Sequence, residues 1–255
     1  MKVIAFVLFI FYAPTVIAQK SKTENESYYV YDINWNPCKL DSAKYMAYVQ
    51  RINDTTFQWN YYHFTGSLIN IETYRDEKAT ILNGFLAYYD TNGIIDSSGY
   101  TATGKKDGSW YFYDDTLGIW LQQDYNKGIL IKTIDFNEKR KEEVKAGIKP
   151  DTLLPGEKEA DFPGGIKAWI KYLEKNFTFP DRAVKLGKYG KDVIGFVVDT
   201  EGKLSDLIVL KSVEFSLDKE ALRLIAQSPK WVPAVQRDRK VKAYRRQPIT
   251  FAKPN

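Results

Sequence analysis

Few residues in this sequence could do covalent chemistry, and those few are badly placed for it. His63 is the only histidine. It ends an aromatic run, Tyr61-Tyr62-His63, where an imidazole more often packs or faces water than acts as a base. Asp114-Asp115 offers two carboxylates for acid–base work, but adjacent strand residues point to opposite faces, and a turn accounts for the pair better. Cys38 is the single cysteine, so no internal disulfide forms. Burial is the favoured reading of such a thiol, with pairing between chains as the alternative. Gly99-Tyr-Thr-Ala-Thr-Gly104-Lys105 fits the opening of a phosphate-binding loop. Lys106 stands where the metal-ligating hydroxyl belongs, however, and Asp107-Gly108 opens a turn where a helix is required. No spacing of His, Cys, Asp and Glu suits a metal. The expectation is a protein that is not an enzyme and needs no cofactor.

Residues suited to non-covalent work gather near the carboxyl end. Arg237, Arg239, Lys240, Lys242, Arg245 and Arg246 form the most basic stretch of the chain. On the edge of a sheet such charges attract an acidic peptide or a membrane surface, and equally they deter uncontrolled sheet-to-sheet association. The net charge of +5, from 37 Lys and Arg against 32 Asp and Glu, is too small and too evenly spread to argue for nucleic acid.

The elements that must position these residues divide the chain into four parts. Met1-Lys2 and the apolar run Val3 to Ala18 are shorter than the roughly 20 residues of a membrane span and contain Pro14. Residues 1–18 therefore read as a secretory leader cut before Gln19, and an uncleaved leader would anchor the chain instead. Residues 19–137 read as β-structure, rich in the 18 tyrosines and six tryptophans, although Ala43 to Gln50 fits strand or helix equally. Gly84 to Gly104 and Gly108 to Gly128 repeat the same glycines and tyrosines at offsets of 24 or 25 positions. A weaker copy runs from Tyr61 to Tyr74. Each unit reads as a hairpin, with Asn92-Gly93 and Asp107-Gly108 as turn signals. These units resemble the MORN-type repeats of bacterial exported proteins. Their rings serve as cross-strand packing in preference to a binding face for a glycan or partner. Residues 138–161 are charged, then rich in Gly and Pro, and read as a linker with room for a short solvated helix.

From 162 to 255 the pattern changes. Ile166, Trp169, Ile170 and Leu173 mark one face of a helix ending near Asn176. Ile194, Phe196 and Val198 alternate as a strand, Asp199 to Gly202 turns, and Leu204 to Leu210 returns. Ser216 is placed to cap a helix whose apolar stripe is Leu217, Ala221, Leu224 and Ile225, and Ser228-Pro229 stops it. Trp231 to Ala234 is extended, and Val241 to Phe251 reads as a last strand.

This order resembles the C-terminal domain of the TonB family. The residues carrying the resemblance are Phe162-Pro163-Gly164-Gly165, Phe179-Pro180, Gly190-Lys191, Phe196 to Asp199, Gly202-Lys203, Leu217 to Ala221, Ser228 to Ala234 and Pro248 to Phe251. The implied fold is α+β: two helices on a small antiparallel sheet, here preceded by a mainly antiparallel β domain of repeated hairpins. Asp192 departs from the family pattern, where an apolar strand residue is usual. Arg237-Asp238-Arg239-Lys240 departs too, lacking the glycine typical of that turn. The resemblance implies a periplasmic protein associated with transport across the outer membrane. Its partner would be a peptide of an outer-membrane transporter or another envelope protein, added as a strand along the terminal edge. Here that edge is Val241, Lys242, Ala243, Tyr244, Arg245, Arg246 and Gln247, and a second copy of the chain could pair along it as a homodimer. A retained leader would make the chain an inner-membrane energy transducer, and a cell-envelope scaffold using the repeat sheet is the rival reading.

Overall fold

The computed structural model describes residues 19–20, 25–146 and 157–253, so the leader expected over 1–18 lies outside the described residues. The aromatic first half forms one sheet of ten strands in sequence order, each antiparallel to the next. They are β1 (Gln19–Lys20), β2 (Glu26–Tyr31), β3 (Tyr45–Asn53), β4 (Thr56–His63), β5 (Leu68–Tyr74), β6 (Leu82–Tyr89), β7 (Ile95–Ala102), β8 (Lys105–Tyr113), β9 (Ile119–Asn126) and β10 (Ile129–Asp135). The ambiguous stretch 43–50 is thus strand from Tyr45 onward. Helix α1 (Phe136–Lys145) follows, with the Asp135 carboxylate accepting N–H bonds from Asn137 and Glu138. Part of the stretch read as a linker is therefore helical.

The repeat period has a concrete origin. Asp90 Oδ1 accepts from the N–H groups of Asn92 and Ile94, both at 2.8 Å. Asp114 Oδ1 accepts from Thr116 and Gly118, both at 2.9 Å. These carboxylate-closed turns join β6 to β7 and β8 to β9, and the expectation that Asp114 builds a turn is met. The expectation at Asp107-Gly108 is not. The β7–β8 turn falls at Thr103-Gly104, where both residues have positive φ (49° and 77°), the requirement of a two-residue hairpin turn. Asp107 and Gly108 lie inside β8, where the pairing with β7 slips between Ser98 and Tyr100. Gly108, at φ 75°, accommodates that slip, so a turn dipeptide marks an irregular strand.

One face of this sheet is closed by its own rings. Tyr29 stacks on Trp59 at 5.2 Å, Trp59 meets Tyr61 at 5.9 Å, and Trp35 lies flat on Tyr45 at 4.1 Å. Gly99 lies directly under the Trp110 ring, where an added Cβ would meet ring carbons at 2.4 Å. Gly99→Ala is expected to cost about 1–3 kcal/mol by overpacking, read as a lower urea midpoint. An unfolding free energy within about 0.3 kcal/mol of the parent would contradict that account.

The second half contains α2 (Gly165–Asn176), α3 (Asp181–Leu186), β11 (Gly190–Val198), β12 (Leu204–Lys211), α4 (Phe215–Ala226), β13 (Ala234–Gln236), β14 (Arg239–Val241) and β15 (Ala243–Phe251). Three strands form a sheet in the order β12-β11-β15, and β13 pairs with β14 as a separate hairpin. The expected α+β architecture is present, with α3 as a short additional helix. Helix α4 begins at Phe215, one residue before the expected cap, because the Glu214 carboxylate accepts from the Ser216 N–H. Ile194, Phe196 and Val198 are fully buried with Leu217, Ala221, Leu224 and Ile225. Trp231 closes this core against Phe196 at 4.9 Å and Phe162 at 5.8 Å.

The two halves share a core. Phe215 at the start of α4 lies among Tyr28, Tyr48 and Tyr62 of the hairpin sheet, at 5.8, 5.1 and 5.4 Å. Tyr89 Oη donates to the Val209 carbonyl at 2.6 Å, the Leu68 N–H to Ser212 Oγ at 2.8 Å, and the Ser212 N–H to the Gly93 carbonyl at 2.8 Å. These three bonds tie the hairpin sheet to residues 209–212 at the end of β12.

Candidate functional site

A three-stranded sheet has two edges, and here they differ. β12 carries a bridge from Lys211 to Ile94 and lies against the hairpin sheet. β15 pairs with β11 from Gly190–Phe251 to Val198–Ala243, and no strand among the described residues pairs with its other side. Pro248 suits such an edge, because it has no N–H to give a ladder.

The seven residues expected to form the edge fall into two groups. Val241 is in β14 and pairs with Ala234 of its own chain, so that end of the strip already has a neighbour. Lys242 is exposed between β14 and β15. Ala243, Tyr244, Arg245, Arg246 and Gln247 are consecutive in β15. Side chains alternate along it. Tyr244 and Arg246 share a face with Pro248 and Thr250, whereas Ala243, Arg245 and Gln247 share a face with the buried Ile249 and Phe251.

Tyr244, Arg245 and Arg246 are each held locally. The Tyr244 hydroxyl crosses Gly195 of β11, where an added Cβ would lie 2.2 Å from Oη. Burial raises the Tyr244 pKa above the ordinary tyrosine value, with nearby Tyr113 adding to the rise, so the ring is a neutral donor. Arg246 Nη1 donates to the Thr116 carbonyl in the β8–β9 turn at 3.1 Å. Arg245 pairs with Glu159, while its Nε is buried without a partner. The glycine missing from the preceding turn leaves Arg237 and Asp238 with positive φ, 47° and 60°, the backbone of a two-residue hairpin turn built without glycine.

Beside β15 lies a cleft of about 800 Å³. Its far wall is the extended segment 157–161, pinned by bridges from Lys158 to Val235 and from Asp161 to Val232. Ile166 and Trp169 of α2, with Val232, supply its apolar lining. The end of the presumed linker is therefore part of this site, which sequence reasoning missed. The signal available was Phe162-Pro163-Gly164-Gly165, whose Gly164 at φ 87° starts α2 beside the cleft.

The residues weighed for catalysis are scattered. His63 is exposed at the end of β4, Asp114 closes its turn, and Lys105 begins β8. Cys38 is half-buried, not fully buried as expected. No helix among the described residues is long and apolar enough to cross a membrane.

Comparison with curated proteins and with solved structures returned no match. Over residues 175–252, a span that begins in the last turn of α2 and holds α3, both sheet edges and all of β15, the sequence fits the family model of the Gram-negative bacterial TonB protein C-terminal.

Proposed function

We propose that the C-terminal domain receives an extended segment of an envelope partner, such as an outer-membrane transporter, as a fourth strand along β15. The observation carrying this reading is the unpaired outer edge of β15 over Ala243–Gln247, set beside an open cleft, when the opposite edge at β12 lies against the hairpin sheet. Main-chain hydrogen bonds supply the affinity, and pockets for alternate side chains the selectivity. Residues 1–18 act as a cleaved leader, so the mature chain works in the periplasm as a gripping module. A mature protein that still begins at Met1 in the inner membrane would restore the energy-transducer reading.

The test uses a photoreactive residue at Tyr244 in intact cells, followed by hydrogen exchange on the recovered complex. Slowed exchange confined to residues 243–247 is the expected result. Capture that leaves those amides unchanged and protects the hairpin sheet would sink strand addition. It would favour a scaffold working through the exposed Ile129, Leu130 and Ile131 of β10.

A further inference from the structure

We infer that β10 is a self-association edge, along which two copies of the chain pair antiparallel about a two-fold axis. Nothing in this depends on strand addition at β15.

The two ends of the ten-stranded array are unlike. At the first end the chain covers itself: β1 pairs with Ser27 and Tyr28 of β2, and Pro37 bridges to Tyr31. At the other end no strand among the described residues pairs with the outside of β10. Helix α1 does not take that place, because Arg140 Nη2 donates to the Ile119 carbonyl at 3.0 Å and ties the helix to β9. Ile129, Leu130 and Ile131 are left 70%, 48% and 64% exposed. Every other exposed Ile, Leu or Val among the described residues stands singly along the chain. Edge strands ordinarily carry charge or proline against pairing. β15 has Arg245, Arg246 and Pro248, whereas residues 129–134 of β10 have Lys132 as their only charge.

The backbone and the residue order choose the occupant. An open rim presents N–H and C=O groups as well as side chains, and hydrocarbon leaves such groups unsatisfied. A strand fits that rim and a lipid surface does not. The strip also complements itself. Antiparallel pairing centred on Leu130 sets Ile129 opposite Ile131 on each side of the axis, with Leu130 opposite Leu130. Lys132 then meets Gly128 and Lys127 meets Thr133, so no like charges face each other. Head-to-tail pairing of β10 with β2 would build an open fibre, and β2 is already covered. The pairing of β10 with β9 slips between Leu130 and Lys132, which keeps the self-complementary stretch short. The expected dimer is therefore reversible, dissociating in the micromolar range.

Sedimentation velocity of the full chain, from about 1 to about 200 µM, is expected to show the mass rising from one chain to two. Over the same range, hydrogen exchange at amides 129–133 should slow while 243–247 stay unchanged. Ile129→Lys combined with Ile131→Lys sets like charges opposite each other across the axis and should weaken pairing about tenfold or more. Both residues are exposed enough for that variant to fold. Mixing it with the Ile129→Glu, Ile131→Glu variant should restore pairing, because the charges then attract. A mass of one chain throughout overturns the inference, as does a mass that grows past two. A dimer that survives the paired lysines places the contact elsewhere and also overturns it. So does a parent chain that stays monomeric and floats with phosphatidylglycerol vesicles, which would give the strip to a membrane surface.

Discussion

Raising the pH from about 5 to about 8 is expected to cost this protein roughly 3 kcal/mol of folding stability, and Asp192→Asn is expected to remove most of that slope. Asp192 of β11 and Asp218 of α4 are both fully buried and face each other. Asp192 Oδ1 accepts from the Val213 N–H at 3.0 Å, and Asp218 Oδ2 from Ser212 Oγ at 2.7 Å. The remaining oxygens, Asp192 Oδ2 and Asp218 Oδ1, have no donor. Two facing carboxylates supply only acceptors, so a proton on one of them is what satisfies the pair. Burial pushes Asp218 up to about 7, with bonds to Ser212, Tyr62 and Asp192 pulling the other way and the Glu214 charge adding to the rise. Burial, then the neighbouring Asp218, raises Asp192 well above the ordinary carboxylate range.

A carboxyl whose pKa is raised by folding keeps a proton that the unfolded chain has released. Its contribution is full below the ordinary aspartate value near pH 4 and is lost as pH rises through about 7. The other groups facing the pair do not reverse this. Glu214 is engaged by Arg182, and burial raises the pKa of both Tyr62 and Tyr89 so that they stay neutral. Urea midpoints at the two pH values provide the measurement, and Asp192→Asn should be the more stable protein at the higher pH. A parent protein whose stability is flat or rising over this window would refute the shared proton. The carboxyls sit at the junction, since Ser212 also takes the Leu68 N–H and gives its own N–H to Gly93.

Arg182→Ala is expected to destabilise by about 3–5 kcal/mol, because it strands a buried charge. Glu214 is completely buried, and Arg182 Nε reaches its Oε1 at 2.5 Å. The same guanidinium donates from Nη2 to the Phe64 carbonyl in the β4–β5 turn and lies 5.1 Å from the Phe64 ring. Glu214 keeps bonds from the Ser216 N–H and hydroxyl, which places the effect nearer the lower end. Adding Glu214→Gln should restore a substantial part of the loss, since the neutral amide needs no counter-charge. A double-mutant cycle in urea separates these contributions. A cost below about 1 kcal/mol for Arg182→Ala, the size of a surface ion pair, would place this contact among the dispensable ones.

The periodic parts of this structure were readable from residues alone. Alternation at Ile194, Phe196 and Val198 and helical spacing at Leu217, Ala221, Leu224 and Ile225 reflect burial of one face, a local property of each element. The 24-residue offset was equally visible, because Asp90 and Asp114 build the same turn. Contacts between distant segments were not. Nothing near Glu159 indicates that it meets Arg245, or near Arg182 that it reaches Glu214 and Phe64, because those meetings depend on how whole elements pack. Asp107-Gly108 misled for a related reason, since positive φ serves a slipped strand as well as a turn. Asp192 was the exception. Its departure from the family pattern, where an apolar strand residue is usual, marked it as anomalous, and the anomaly is the carboxyl pair.

The hairpin sheet meets its neighbour through turns that recur on one side. Phe64 takes Arg182, Gly93 takes Ser212, and Thr116 takes Arg246. Two strands and two turns make one module, so inserting or deleting a whole module returns the chain to the same side with its contacts in phase. Half a module would turn every later loop away. A change in array length therefore keeps the later turns facing the second half only when it comes in even steps of strands.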